Sequence, residues 1–286
     1  MSEIKTDKPL PLYNSVPCQG RLASGKACTN MAYYHAKNGY FCGVHTKIRI
    51  KLPSLSIKEQ NRIKQEEINR REKLIEQAAS ENAKNKQRGQ VKFFLMKKFK
   101  PVIHTDGYLS VFPNYRDGGR KDGLGCPSFS PMLLGPVMHG QPNIIPALTI
   151  EGFHQFSKQY ENESDEEFER QRIIGYSNPN PSRHKRKGEI PKFIWIDKHT
   201  GIRHSLDWTP SKQFYCNFWE RLTKNDPVLI KLKEMVKNGT NVTICGYDAK
   251  GSDYDKCAGH EMCLYYILTE DDETKWPWRI HKTFDF

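Results

Sequence analysis

The chain has 286 residues, of which 37% are hydrophobic, and a formal net charge of +12 at pH 7. This length is typical of about two domains. No apolar run approaches the roughly 18–20 residues that a bilayer-spanning helix needs, and the first residues lack the apolar segment of a secretory signal. We therefore expect an intracellular protein, cytoplasmic or nuclear, with no membrane partner. The positive charge favours polyanions without specifying one, and the oligomeric state is not indicated.

The first block, residues 1–50, is rich in cysteine and histidine. Three cysteines and one histidine follow the spacing C-x9-C-x13-C-x2-H, and these are Cys18, Cys28, Cys42 and His45. Three thiolates and an imidazole make the closed tetrahedral ligand set of a structural zinc site. A segment this small and this poor in apolar residues cannot fold on burial alone, so we predict one structural zinc ion. The alternatives are scattered free thiols and His35 as a substitute ligand.

Basic residues lie between and after these cysteines, which makes the zinc module a candidate contact for nucleic acid. They are Arg21, Lys26, Lys37, Lys47 and Arg49. Together with the net charge they support an alternative function, that of a nucleic-acid-binding zinc protein without catalytic activity.

The second block, residues 51–90, is a charged connector. Residues 57–87 contain no proline or glycine and are rich in Glu, Gln, Lys and Arg, which are good helix formers. Ser56 can cap the start of a helix. Because the apolar stripe is thin and imperfect, we predict a long, mostly solvent-exposed helix, with a dimerising coiled coil as the alternative.

The third block, residues 91–286, carries the aromatic residues and the long apolar segments. Residues 91–115 have a β-rich composition broken at Pro101, which predicts a hairpin. A helix is predicted from about 149 to 172. Two strands are then predicted on either side of the turn at residues 198–201.

Two consecutive helices come next, at residues 210–225 and 226–239, and Asp226 can cap the second. An alternating pattern predicts a buried strand over 241–248. An apolar helix over 259–270 follows it. The third block is therefore predicted to combine helices and strands, so that the fold class is α+β.

The segment TIEGFHQFSK, residues 149–158, has a distinctive spacing. It resembles the signature T-V-E-x-[YF]-x-Q-x-x-K of the NADAR (YbiA-like) family, and the coinciding residues are Thr149, Glu151, Phe153, Gln155 and Lys158. A looser resemblance covers residues 105–270. The sequence departs from the family in three places. Pro131 stands where the family has asparagine, and the family's terminal Trp-Gly is absent, with Gly259–Glu261 standing nearby instead. The residues between Gly175 and Trp208 look like an insertion.

The resemblance implies a mostly helical α+β domain with N-glycosidase activity. The bond cleaved would join a ribose to a nitrogenous base, in a phosphorylated ribosyl-pyrimidine or in an ADP-ribosyl group on guanine. Glu151 is then the catalytic carboxylate, because cleavage passes through an oxocarbenium-like sugar that a carboxylate stabilises. Helix periodicity places Gln155 on the same face and Lys158 one turn further. Gln155 can then bind a ribose hydroxyl or the attacking water, and Lys158 can bind a phosphate. The alternative for Glu151 is an ordinary first-turn acid.

Further candidate site residues follow from position and chemistry. Asp248 follows a predicted strand and Glu261 opens a predicted helix, so each is a candidate second carboxylate, with capping as the alternative for Glu261. An aromatic side chain can stack on the departing base, and the candidates are Trp208, Trp219 and Tyr108. The alternative for each is an ordinary core residue. A basic loop consists of Arg183, His184, Lys185, Arg186 and Lys187. It can guide a nucleotide or nucleic acid to the site, and the alternative is a solvated surface loop without such a role.

Two further questions stay open at this level. A second metal ion can be held by a group of four residues near one another in the sequence, Cys245, Cys257, His260 and Cys263. The alternative is that these cysteines are buried free thiols. The appended zinc module and the lysine- and asparagine-rich sequence resemble proteins of large DNA viruses of eukaryotes. The predicted function is hydrolysis of an N-ribosyl or ADP-ribosyl bond, and a structural, virion-associated protein that keeps the fold is a second alternative.

Overall fold

The structure, a computed structural model, describes residues 12, 15–36, 38–47, 50–54, 56–97, 100–247 and 259–280. The chain divides into two compact units, Met1–Asn69 and Arg70–Phe286. The described residues contain seven α-helices and both parallel and antiparallel sheets, which confirms a mixed class of helices and strands. None of the helices in these ranges carries an apolar stretch long enough to cross a bilayer.

Among the described residues ahead of position 57, the regular structure of the first unit is one ribbon. Strands β1, Tyr34–Ala36, and β2, Gly39–Phe41, pair in antiparallel register. A small buried cluster beside the ribbon consists of three cysteines with Phe41 packed against it. Since so little apolar surface is buried there, the unit needs a further source of stability.

Helix α1, Ile57–Lys84, follows the ribbon and is mostly exposed. Ser56 caps it, because its Oγ accepts the backbone N–H of Glu59 at 3.2 Å. Among the 28 residues of the helix, only Arg71 is buried. The predicted long, solvent-exposed helix is therefore confirmed.

The second unit is built on a parallel four-stranded sheet. Its strands are β3, Val91–Leu95, β4, Tyr108–Phe112, β5, Leu124–Gly125, and β9, Asn241–Gly246, in the order β3-β9-β4-β5. Every neighbouring pair is parallel. The hairpin predicted for residues 91–115 is wrong, since β3 and β4 lie on opposite sides of β9. Strand β9 is buried at all six positions, and this burial outweighs the local turn signal between β3 and β4.

The single helix predicted from about 149 to 172 is also wrong, because the chain breaks at Ser157. Helix α2, Ile150–Phe156, leads into the short strand β6, Lys158–Gln159, and then into helix α3, Asp165–Tyr176. Oγ of Ser157 donates to the carbonyl of Phe153 and lies 2.7 Å from the hydroxyl of Tyr176. The carbonyl of Ser157 accepts the Ile194 N–H, so tertiary hydrogen bonds replace the next helical turn.

The two predicted strands around the 198–201 turn are confirmed. Strand β7, Lys192–Ile196, pairs antiparallel with β8, Arg203–Leu206, and β6 adds to the other edge of β7. This three-stranded sheet carries the chain from α3 back to the core.

The helices predicted after this sheet are confirmed with small changes at their ends. They are α4, Trp208–Thr223, α5, Pro227–Lys237, and α6, His260–Thr269, and a last short helix α7, Pro277–Ile280, follows. Asp226 caps α5, since its Oδ1 accepts the Val228 N–H at 2.7 Å. Helix α4 contacts α2, α6 and α7, so side chains on its faces meet residues from distant parts of the sequence.

Candidate functional site

The four predicted metal ligands of the first unit lie together, and their ligand atoms are all within 4.8 Å of one another. Sγ of Cys28 is 4.0 Å from Sγ of Cys42, and Nδ1 of His45 is 3.3 Å from Sγ of Cys42 and 3.5 Å from Sγ of Cys18. Tetrahedral zinc with bonds of about 2.3 Å to sulfur and about 2.0 Å to nitrogen requires ligand separations of about 3.5–3.8 Å. The arrangement can therefore hold one metal ion.

The surrounding backbone prepares these ligands. The backbone N–H of Cys42 lies 3.2 Å from Sγ of Cys18. Burial raises the pKa of the Cys42 thiol, but hydrogen bonds from the backbone N–H groups of Val44 and His45 and from the His45 ring outweigh burial and lower this pKa to about 6. Gly20 lies against the His45 ring, where a Cβ would come within 2.3 Å of its Cγ. Only glycine leaves room for the ring in this position.

The other residues singled out in this unit are one histidine and five cations. His35, the substitute ligand, lies on β1 and is not a member of the four-ligand group. Lys37 and Arg49 lie outside the described residues. The remaining cations are all exposed, and these are Arg21, Lys26 and Lys47. Contact of the module with nucleic acid stays a prediction.

In the second unit, Glu151 lies in the first turn of α2, where Oγ1 of Thr149 caps the helix by accepting the Gly152 N–H at 3.0 Å. Nε2 of Gln155 donates to Oε1 of Glu151 at 2.9 Å, and Nζ of Lys158 donates to Oε1 of Gln155 at 2.9 Å. Glu151 is partly exposed, whereas Gln155 and Lys158 are only 7% and 9% exposed. These side chains form one hydrogen-bonded chain from a partly exposed carboxylate to a buried ammonium group.

Phe153, the remaining aromatic of the signature segment, has a different role. It is fully buried, and its ring meets Phe193 and Phe218 edge-on at centroid distances of 5.7 and 5.1 Å. Phe153 thus anchors α2 in the core and holds the chain from Glu151 to Lys158 in place.

The ammonium group of Lys158 lies among other cations. Burial is the main cause that lowers the pKa of Lys158 to about 8, and the charges of Lys212, Lys185 and Arg183 lower it further, while Glu151 opposes this shift. An anion bound here would relieve the repulsion between these cations. The region is therefore suited to a phosphate or another anionic group.

Helix α4 adds two side chains that sequence reasoning missed, Lys212 and Tyr215. The hydroxyl of Tyr215 lies 3.4 Å from Nδ1 of His260. Burial and then the negative charges of Glu151 and Glu261 raise the pKa of Tyr215 well above its ordinary value, so the phenol stays neutral between two carboxylates. Nζ of Lys212 lies 4.7 Å from the centre of the Tyr215 ring.

A signal for these two residues was present in the sequence. Lys212 and Tyr215 are three positions apart and share one helix face, within an aromatic run that would otherwise be read as core. A lysine inside such a run is the feature that could have drawn attention to this face.

His154 lies near the same cations, and burial followed by the charges of Lys212 and Lys158 lowers the pKa of His154 well below its ordinary value.

Glu261 lies at the carboxyl end of the central strand β9. Gly246 ends this strand, and a Cβ on Gly246 would lie 2.4 Å from Oε1 of Glu261. Oε2 of Glu261 is 3.1 Å from Nδ1 of His260. Ligands of open α/β sheets bind beyond the carboxyl ends of the strands, so Glu261 has the position of a site residue. Asp248, the other candidate second carboxylate, lies outside the described residues.

The candidate stacking aromatics differ in their placement. Trp219 is fully buried, and its Nε1 donates to the carbonyl of Phe129 at 2.8 Å, so we leave it out of the substrate contacts proposed below. The backbone of Trp208 begins α4, but its side chain lies outside what the structure describes. Tyr108 lies at the amino end of β4, and its hydroxyl donates to Gln90 at 2.5 Å. The aromatic group that would stack on a base stays a prediction.

The basic loop lies against α2. The ring of His184 stacks on that of Phe156 at a centroid distance of 5.2 Å. Arg183 and Lys185 are exposed, and both lie close enough to Lys158 to lower its pKa. The loop therefore extends the positive region around Lys158 to the surface.

The second candidate metal cluster is not assembled by its described members. Cys245 is buried with Met96 and Phe112, whereas Cys263 belongs to the main core. Cys257 lies outside the described residues. In the part of the chain that the structure describes, the cluster of Cys18 and its three partner ligands is the one group with the spacing of a metal site.

Comparisons with known proteins find no match to a family model, to a curated protein or to a solved structure. The resemblance of residues 149–158 to the NADAR signature therefore stays a prediction. Function has to be inferred from the geometry around Glu151.

Proposed function

We propose that the protein is a hydrolase that cleaves the N-glycosidic bond of a ribosyl or ADP-ribosyl substrate. The observation that carries this proposal is the hydrogen-bonded chain from Glu151 through Gln155 to the buried Lys158. It combines a carboxylate with a cation. A substrate of this class develops positive charge on its sugar and carries negative charge on its phosphate, so the two groups match it. The NADAR-like spacing of residues 149–158 supports the same reaction.

The carboxylate of Glu151 supplies the negative charge that bond cleavage requires. When the bond between C1′ and the base nitrogen breaks, its electron pair leaves with the base and the ribose becomes an oxocarbenium-like cation. Glu151 stabilises this cation and takes a proton from the water that attacks C1′. Gln155 fixes the orientation of the carboxylate by donating to its Oε1.

The cationic region explains a preference for phosphorylated substrates. Lys158 and Lys212 are buried, and Arg183 and Lys185 are exposed nearby. The Coulomb attraction between a phosphate and a buried ammonium group is stronger than that with an exposed one, because water screens it less. We therefore expect nucleotides and ADP-ribosyl groups to bind more tightly than uncharged nucleosides.

We assign the metal centre of the first unit to one structural zinc ion. Cys18, Cys28, Cys42 and His45 would occupy all four tetrahedral positions, and such a closed set leaves no position for water or substrate. The ion would then stabilise the module and take no part in the glycosidic reaction.

Turnover of two substrates by the full-length protein tests the proposed enzyme. The substrates are a ribosyl-pyrimidine phosphate and guanosine that carries an ADP-ribosyl group on its base. We expect release of the base from at least one, and a loss of about 10²–10⁴-fold in kcat in Glu151→Gln. Glu161→Gln changes an exposed carboxylate outside the site and should leave the rate unchanged.

A folded wild-type protein that turns over neither substrate would rule the proposal out. Binding to DNA or RNA with a steep salt dependence, unchanged in Glu151→Gln, would instead favour the nucleic-acid-binding alternative.

A further inference from the structure

His260 and Glu261 form a buried pair at the start of α6. Their side chains are 7% and 3% exposed, and Oε2 of Glu261 lies 3.1 Å from Nδ1 of His260. The hydroxyl of Tyr215 lies further from the same nitrogen, at 3.4 Å. An ionised carboxylate can only accept a hydrogen bond. We therefore place a proton on Nδ1 of His260, which donates it to Glu261 across the shorter contact. The neutral ring then has its lone pair on Nε2.

Nε2 of His260 is the atom of this pair that is left to exchange protons. It is buried and has no hydrogen-bond partner within the residues that the structure describes. Buried polar atoms in native proteins nearly always have a partner, so this nitrogen points to a group that arrives with a ligand. In a carboxylate–histidine pair the carboxylate orients the ring and stabilises its protonated form, and the other nitrogen does the chemistry.

The location of the pair agrees with such a role. Glu261 lies against Gly246 at the carboxyl end of β9, where ligands of parallel sheets bind. Tyr215 connects the pair to the proposed catalytic residue, since it contacts His260 and lies near the charges of both Glu151 and Glu261. An N-glycosidase needs a group that can give a proton in addition to a carboxylate, and Tyr215 is the residue that links the two here.

We infer that His260 is the general acid that protonates the departing base and that Glu261 positions its ring. This inference rests on the proposed function. As the C1′–N bond breaks, its electron pair moves to the base nitrogen. This nitrogen takes the Nε2 proton of the doubly protonated His260 ring and leaves that ring neutral, with its remaining proton on Nδ1. Water then bonds to C1′ and gives a proton to the carboxylate of Glu151. Proton exchange with solvent restores both side chains, so the products are a ribose hydroxyl and a protonated base nitrogen.

Two substrates that differ only in their need for a proton test this role. One is guanosine with an ADP-ribosyl group on its base, and the other is the same compound methylated at N7. The positive charge of the methylated base lets it depart as a neutral molecule without a proton. His260→Gln should lower kcat on the first substrate by about 10²–10⁴-fold, with little change in KM, and slow the second by less than about tenfold.

Control variants separate this role from others. Glu151→Gln should slow both substrates alike, because it acts on the sugar and not on the base. His199→Gln, at an exposed histidine in the turn between β7 and β8, should change neither rate. Equal losses on both substrates in His260→Gln, or no loss on either, would overturn the inference. Thermal unfolding of each variant shows whether a loss of rate reflects misfolding.

A second measurement tests the His260 geometry without relying on activity. Nitrogen chemical shifts of the histidine rings in the isotope-labelled full-length protein report which ring nitrogen carries the proton. At a pH where the ring is neutral, we expect the proton on Nδ1 and a bare Nε2, with this preference weakened in Glu261→Gln. A proton on Nε2 would refute the assigned geometry. Failure of the wild type to turn over either substrate would remove the proposed function, and the general-acid role with it.

Discussion

Loss of one metal ligand should unfold the first unit, and the size of the effect follows from the structure. Among the described residues, Phe41 is the hydrophobic side chain packed against the buried cysteines of the cluster, so apolar burial cannot replace the ion. Structural zinc binds with about 10–16 kcal/mol in small modules, or about 2.5–4 kcal/mol for each of four ligands. Cys42→Ala should therefore weaken zinc binding by about 10²–10³-fold.

Competition with a chromophoric chelator measures this change in the full-length protein, and limited proteolysis reports whether the first unit is folded. Wild-type protein should bind one equivalent of zinc and resist cleavage within residues 15–54 until the chelator is added. Cys126→Ala removes a buried thiol outside the cluster and should keep that equivalent. Gly20→Ala should bind zinc more weakly than wild type, because the new Cβ displaces the His45 ring. Unchanged zinc affinity in Cys42→Ala, or an equally protected zinc-free wild type, would refute the reasoning.

Three further predictions concern the second unit. The folded state lowers the pKa of Lys158 to about 8 from an ordinary value of 10.5. Between these two pH values the unfolded chain binds more protons, so the free energy of unfolding should rise with pH across that window. Urea unfolding should show this rise in wild type and not in Lys158→Met. Gly246→Ala should lower kcat, because the new Cβ would lie 2.4 Å from Oε1 and 2.7 Å from Cγ of Glu261 and would displace this side chain. An unchanged kcat would contradict the placement of Glu261 in the site. Asp226→Ala should lower the free energy of unfolding by about 1 kcal/mol through loss of the α5 cap, and an unchanged urea midpoint would argue against the cap.

Local signals in the sequence were enough wherever a structure depends on neighbours along the chain. Ser56 and Asp226 cap helices as their positions predicted, because a cap needs only the N–H groups of the next turn. The four residues that can hold a metal ion were found from their types and spacing. The contact of Gln155 with Glu151 followed from helix periodicity alone.

The pairing of strands and the tertiary contacts that end helices could not be predicted in this way, because they depend on burial between residues far apart in the chain. Strand β9 takes the centre of the sheet and separates β3 from β4, so a local turn signal gave the wrong pairing. Ser157 ends α2 through hydrogen bonds to the β7 strand and to Tyr176.

The sequence alone thus determined the caps, the candidate metal ligands and the shared helix face of Glu151 and Gln155, since these rest on short-range geometry. Lys158 was predicted one turn further along the same helix, but it lies on β6, beyond the end of α2. Only the tertiary structure decided that Tyr215 contacts His260 and lies near the charges of both Glu151 and Glu261. Helix α4 contacts both α2 and α6, and the free energy that holds these helices together comes from apolar area removed from water across the whole core, which no short segment of sequence records.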